Sequence, residues 1–432
     1  MNPLKKLYCR VYQTVLRLAL PFLPYREPQI LSGIHQLPET LQRRNVRTVL
    51  LVTDHCIRGC GLTARLEELL PQAGIRCVVY DGTASNPTTD NVEAARALYL
   101  REGCQALVAF GGGSSMDCAK AIGARLAQPR KSLAQMHGIL KIHRRIPLLA
   151  AIPTTAGTGS ETTLAAVITD SKTRRKCPIN DFPLIPRYAV LDPEVTRSLP
   201  PSVTAATGMD ALTHAVEAYI GRSTTRETRA AALEAVKLVF ENVERACADG
   251  GDMEARRNML QAAYLAGSAF TKSYVGYVHA VAHSLGGKYN VPHGLANAVL
   301  LPVVLEAYGP VIHRKLHQLA VAGGVSTPEE SDAAGAERFL AAIRGMNRRM
   351  GIPRTLPDIR QEDIPQLARY ADQEANPLYP VPVLWDGPQL EMFYYKVMEG
   401  GGQPERSRHP ENRPAAAGVF PKRRYASATG AR

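Results

Sequence analysis

Between residues 27 and 200, short apolar runs alternate with stretches whose apolar residues recur every three or four positions. TVLLVTD, RCVVYDG, ALVAFGGG, PLLAAIPTT and YAVLDP are brief, rich in β-branched and apolar residues and closed by turn residues, so they read as strands. TARLEELLPQAG, NVEAARALYLREG and SMDCAKAIGARLA carry the helical period. Strands that alternate with helices predict a parallel sheet, hence an α/β domain over 27–200. From about residue 201 the period changes. AALEAVKLVFENVERACA, ARRNMLQAAYLAGSAF and GAERFLAAIRGMNRRMG are helical with almost no strand signal, so 201–400 is expected to be an all-helical domain. No repeat of 20–50 residues is visible.

The two ends differ from this body. Residues 1–26 contain an apolar run that Arg17 interrupts and Pro21 breaks, too short to span a bilayer and without a cleavage signal. They are expected to form a basic amphipathic extension packed on the body or a partner, with a membrane-surface helix as the weaker alternative. Residues 401–432 are rich in Gly, Pro, Arg and Ser, and are expected to be a disordered basic tail.

Charge follows the same division. The 432-residue chain carries +13, of which +5 falls in residues 1–26 and +5 in 401–432. A nearly balanced body argues against nucleic acid as the main partner, and a membrane is not expected either. A nucleic-acid- or membrane-associated scaffold built on the basic ends is the reading from another class. Eight scattered cysteines, with only Cys56 and Cys60 close, give no disulfide framework and point to a reducing, cytoplasmic setting.

Two glycine-rich turns follow predicted strands. In ALVAFGGGSSMDCAK, Gly111, Gly112, Gly113, Ser114 and Ser115 open a helix, where backbone N–H groups and the helix dipole suit a pyrophosphate. Ser114 and Asp117 also fit an S-x-x-D cap, a purely structural reading. PTTAGTGSE adds Thr154, Thr155, Thr158 and Ser160. Asp54 closes the strand TVLLVTD, where a carboxylate accepts from a ribose diol and repels a 2′-phosphate, which predicts NAD rather than NADP.

The residues with metal-ligand chemistry lie in the second half. Asp210 and His214 are four apart and so share a helix face; His279 and His283 repeat the spacing, and His293 follows beyond a Gly-Gly break. A carboxylate with imidazoles suits a catalytic divalent ion better than a structural zinc, which recruits cysteines. His313 and His317 show the same spacing in a basic stretch and are expected to be a solvated face.

GGGSSMDCAK, PTTAGTGSE, GMDALTHAVEAY and HAVAHSLGGKYNVPHGLANAVLLP, in this order, closely resemble the group III iron-dependent alcohol dehydrogenase family, from about residue 30 to residue 395. The resemblance implies metal ligation by Asp210, His214, His279 and His293, with Fe²⁺ or alternatively Zn²⁺, and places His283 near substrate and nicotinamide, our candidate for a proton relay. It implies cofactor contacts at Asp54, Asn86, Gly112, Gly113, Ser114, Asp117, Thr154, Thr155 and Lys176. It further implies a dehydroquinate-synthase-like fold, a homodimer or larger assembly, and hydride transfer between NAD(H) and an alcohol/aldehyde pair. A maleylacetate reductase or a polyol dehydrogenase on the same fold is the near alternative.

Overall fold

Six parallel strands form the frame on which the first half is built, in the order β1-β9-β6-β4-β2-β3. Their ranges are β1 Gln29–Leu31, β2 Thr48–Val52, β3 Arg76–Tyr80, β4 Ala106–Gly111, β6 Leu148–Pro153 and β9 Tyr188–Val190. These positions belong to a computed structural model that describes residues 1–400 apart from 174 and 175. The expected disordered tail, 401–432, lies outside the described residues.

β4 is buried along its whole length, and β2 and β6 along all but their first residue, as expected of parallel strands covered on both faces. Side chains alternate between two cores. Leu50, Leu107, Ala109 and Ala151 pack with Met116, Ala119 and Ile122 of the helix Gly113–Ala127, whereas Leu51, Val108, Phe110 and Ile152 pack with Leu66 and Leu70 of the helix Ala64–Gln72. The chain therefore leaves β2 toward one face and β4 toward the other. Adjacent strands whose following helices diverge open a crevice at their carboxyl ends, the usual ligand site of an open parallel sheet.

A second, three-stranded sheet, of β5 Gly138–Ile139, β7 Ala165–Thr169 and β8 Lys176–Asn180, was not expected. β7 and β8 pair antiparallel, Ala165 opposite Asn180 and Thr169 opposite Lys176. Two five-residue strands with half-buried, weakly alternating side chains leave little periodic signal.

From Pro201 onward every regular element among the described residues is helical. The helix Pro201–Ile220 is buried on all sides from Gly208 to Ile220, clasped by the helices Arg226–Ala248, Met253–Ser273 and His293–Tyr308. Its Ala-rich, Gly-containing sequence permits that closeness. Residues Met1–Gly401 nevertheless cluster as one compact unit, so residue 200 marks a change of architecture and not a break in packing. The turn after β6 helps join the halves. Gly159 adopts φ 58°, and a Cβ there would stand 2.7 Å from the Cα of Gly267, so only glycine allows the turn to seat against the helix Met253–Ser273.

The N-terminal helix, Pro3–Ala19, packs on the body as expected. His317 does not lie on a solvated face. Its ring is buried, with Nδ1 3.1 Å from Asp332 Oδ1 and Nε2 2.9 Å from the carbonyl of Thr327, pinning the loop between two helices.

Candidate metal centre and nucleotide crevice

Asp210 and His214 lie one turn apart on the buried helix Pro201–Ile220, and His279 and His293 open the first turns of the helices Tyr277–Tyr289 and His293–Tyr308. One potential ligand atom from each of the four lies within 4.8 Å of the others. Asp210 Oδ1 stands 3.9 Å from His214 Nδ1, 3.9 Å from His279 Nε2 and 3.5 Å from His293 Nε2. Ligands ~2.1 Å from a shared ion stand ~3.4 Å apart in a tetrahedron, so a small contraction suffices.

The charge state suits ligation. Burial lowers the basicity of His214 against the opposing pull of Asp210, lowers His279 far more, and draws His293 down to about 4. Neutral imidazoles with lone pairs are the form that binds metal. His214 Nδ1 is buried with no hydrogen-bond partner, an acceptor left over for a cation. The amide nitrogen of Asn297 stands among the others, donating to Asp210 Oδ1 at 2.7 Å and lying 3.2 and 3.1 Å from His279 Nε2 and His293 Nε2. Four acceptors converging in a dry site fit a divalent ion.

Glu217 holds this geometry. It lies seven residues past Asp210 on the same helix face, fully buried, and accepts from His279 Nδ1 at 2.6 Å. That bond fixes the tautomer with Nε2 free toward the cluster, as carboxylate partners of metal-binding histidines do. The same carboxylate accepts from the backbone N–H groups of Gly276 and Val278, both at 2.8 Å, and so caps the helix that carries His279. Glu217 was not among the expected site residues, although its spacing within GMDALTHAVEAY was readable.

His283, one turn beyond His279, stands beside the quartet with its ring stacked on that of His293 at 5.0 Å. Its Nδ1 is 2.6 Å from Glu374 Oε1, and Glu374 also accepts from the Tyr379 hydroxyl at 2.7 Å. Burial alone would lower the His283 pKa, but the Glu374 charge and hydrogen bond override it and raise it. Of the four histidines gathered here, His283 is thus the one biased toward protonation. Glu374 and Tyr379 were also not expected, and their distance along the chain from His283 leaves no local signal.

The residues expected at the nucleotide divide into those facing the crevice and those spent on the fold. The helix Gly113–Ala127 begins at Gly112 with no side-chain cap, so its first N–H groups remain available to an anion and the S-x-x-D cap is not formed. Gly111, at φ 155°, lets the chain turn over Ser115, whose Oγ would stand 2.4 Å from a Cβ there. Across the crevice, Thr155 and Thr158 approach Gly112 and Gly113 closely. Thr154 is buried, and its N–H donates to the carbonyl of Gly111, tying the two turns together. Asp54 uses one oxygen to cap the short helix His55–Gly59 through the N–H of Ile57 at 2.9 Å, which leaves the other for a ligand. Ser114 donates to the carbonyl of Ser85. Asn86 is exposed, with a long 3.5 Å contact to Asn290. Lys176 stands at the start of β8, near enough for its charge to bear on His283 and Glu374.

Asp117, expected at the cofactor, has both oxygens engaged within the fold. Its oxygens accept from Ser160 Oγ at 3.2 Å and from the N–H of Val167 at 3.0 Å, so it braces the helix against the TTAGTGSE turn and β7. In the same turn Glu161 is buried, with Oε1 unpartnered, and burial pushes it up to about 7. Its folded pKa exceeds the ordinary carboxylate value, so its contribution to stability is full below about pH 4.5 and is lost as pH rises through 7. Glu161→Gln is therefore expected to be more stable than the parent at pH 8 and to lose that advantage by pH 5. Equal urea midpoints at pH 8 would refute it.

The turn also connects the two sites, because the backbone of Gly157 contacts the His214 ring while Thr158 faces Gly113. A nucleotide crevice and a four-ligand cluster share one loop. Residues 29–193 match the family described as iron-containing alcohol dehydrogenase, and residues 204–383 match the C-terminal region of the same family.

The chain belongs to the iron-containing alcohol dehydrogenase family.

It is 39% identical over 349 residues to the 1,3-propanediol dehydrogenase of Klebsiella pneumoniae, covering 80% of this chain and 90% of that protein. The NAD-dependent methanol dehydrogenase of Bacillus methanolicus is 36% identical over 345 residues, covering 79% and 90%. A solved 1,3-propanediol oxidoreductase superposes with a TM-score of 0.83 at 36% identity, over 86% of this chain and 99% of that one. The iron-containing alcohol dehydrogenase fold thus accounts for the parallel sheet and the helical half. The segment before Gln29 lies outside both family matches.

Proposed function

We propose that this family member transfers hydride between NAD(H) and an alcohol/aldehyde pair at a divalent metal, Fe²⁺ or Zn²⁺, held by Asp210, His214, His279 and His293. The observation that carries the proposal is the convergence of these four side chains beside an uncapped helix N-terminus, through one shared loop. When bound, the ion supplies a Lewis acid for the substrate oxygen and the dinucleotide supplies the hydride acceptor or donor.

The chain's own residues do the rest. Glu217 fixes His279 so that Nε2 faces the cluster. Gly112 and Gly113 bring backbone N–H groups to the pyrophosphate, and the unspent oxygen of Asp54 accepts from a ribose diol. Glu374 engages His283 at Nδ1, which leaves Nε2 to exchange the proton that alcohol oxidation releases or aldehyde reduction consumes. Burial of Asp210, His214 and His279 keeps bulk water from competing at the centre.

The test combines metal and cofactor. Chelation is expected to abolish NAD(H)-linked turnover and added Fe²⁺ or Zn²⁺ to restore it, with NADH outpacing NADPH at matched concentration. Full turnover in demetallated protein would sink the ligand set, and faster NADPH turnover would sink the role of Asp54.

A further inference from the structure

The helix Pro3–Ala19 docks on the body by the wrong face for an amphipathic helix. Its inward side buries Cys9 against the core but is otherwise held by polar groups. The Gln13 amide donates to the carbonyls of Pro377 and Tyr379, at 3.2 and 2.7 Å, and the Arg10 guanidinium donates to those of Val381 and Pro382, at 2.7 and 2.8 Å. Lys5 pairs with Asp372 at 2.8 Å, and the terminal ammonium with Asp386 at 2.6 Å. The outward side is a continuous apolar stripe of Leu4, Leu7, Tyr8, Val11, Val15 and Leu18 at helical spacing. Leu4 is 76% exposed, Leu18 69%, and Phe22 just beyond the helix 86%. A contiguous exposed stripe of this kind calls for an occupant.

The charge around it selects one. Residues 1–26 contain five cations and no acid; Lys5, Arg10 and Arg26 engage Asp372 and backbone carbonyls, which leaves Lys6 and Arg17 exposed. Arg17, at the last turn, shares a field with Arg222, Arg229 and Lys315, whose ammonium is drawn down to about 8 by burial and then by those three guanidinium groups. A second copy of the helix is a poor fit: antiparallel pairing would set Lys6 against Arg17, and parallel pairing would set Lys6 and Arg17 each against itself. An anionic surface has no such conflict.

We infer that this helix lies in the interface of an anionic lipid bilayer, inserting the Leu4–Leu18 stripe while the exposed Lys6, Arg17, Arg222 and Arg229 meet lipid phosphates. The mode is in-plane. The helix is ~26 Å long, and Arg17 lies within its last turn, so it rests on the bilayer and does not cross it. The only described helical run long and apolar enough to span, His293–Ala322, starts at a member of the metal cluster and is mostly buried in the protein. This revises the expectation that a membrane is not a partner: the sequence pattern showed an amphipathic helix, but not which face the body would take.

The test is co-sedimentation of the full-length protein with phosphatidylcholine vesicles, with and without about one-third phosphatidylglycerol. Recovery with the anionic vesicles is expected to exceed that with neutral ones by about tenfold and to fall with salt. L7E/V11E, both changes on the exposed face and compatible with a helix, is expected to abolish recovery while leaving NAD-linked turnover unchanged. Protein that stays free of anionic vesicles, binds both types equally, or still binds as L7E/V11E overturns the proposal. So does a lipid-free oligomer that L7E/V11E dissociates, which would give the stripe to a second copy.

Discussion

His279→Ala is expected to lose bound metal and turnover together, whereas His283→Ala keeps its metal and loses only rate. The asymmetry follows from where each ring spends its nitrogens. His279 has Nδ1 committed to Glu217 and Nε2 aimed at Asp210, so removing it deletes one of four converging donors and leaves Glu217 buried without its imidazole partner. Loss of the Lewis acid forfeits several kcal/mol of charge stabilisation, at least about 10³-fold in kcat/KM. His283 has Nδ1 committed to Glu374, outside the quartet. Its removal costs proton handling, typically about 10²–10⁴-fold, with metal content unchanged. Metal analysis and turnover on the same preparations decide: equal metal loss in both variants would make His283 a ligand.

Asp210 and His214 were legible because a helical i, i+4 pair carries its own geometry, whereas the choice of His279 and His293 over His283 came from the family resemblance, and the identical spacing of His313 and His317 shows what such a pair is worth without company. His317 turned out to be a buried joint. Glu217 could have been found by extending the Asp210–His214 face one further turn. Glu374 could not, since the cluster acquires it only when a helix 91 residues past His283 folds back against it. Asp117 shows the opposite failure. Its place beside a Gly-rich loop was legible, yet local sequence cannot tell a carboxylate that faces a ligand from one that faces the next strand. For the N-terminal helix, periodicity reports two faces and leaves open which of them packs.

The largest effect on stability is expected from Lys120→Met. Lys120 is completely buried in the helix Gly113–Ala127, and its three N–H groups are shared among four acceptors 2.6–3.0 Å from Nζ, the carbonyls of Ser160 and Ala165 and the hydroxyls of Ser160 and Thr163. Asp117, one turn earlier, is stabilised by its charge. Methionine fills the volume but takes the ammonium donor from those acceptors and the compensating charge from Asp117 in a dry core, a cost of about 3–5 kcal/mol. The turn so released is the one that carries Thr154 to Ser160, so KM for NAD is expected to rise more than kcat falls. There is a pH signature as well. Burial holds Lys120 down to about 8, below its unfolded value of 10.5, so the parent gains stability as pH rises from about 8 toward 10.5. Lys120→Met is expected to lack that gain, and urea midpoints at pH 7 and pH 9.5 would show it. A variant within about 1 kcal/mol of the parent at pH 7 would mean that the turn is held by its glycine contacts with the helix Met253–Ser273, and that the buried ammonium is incidental.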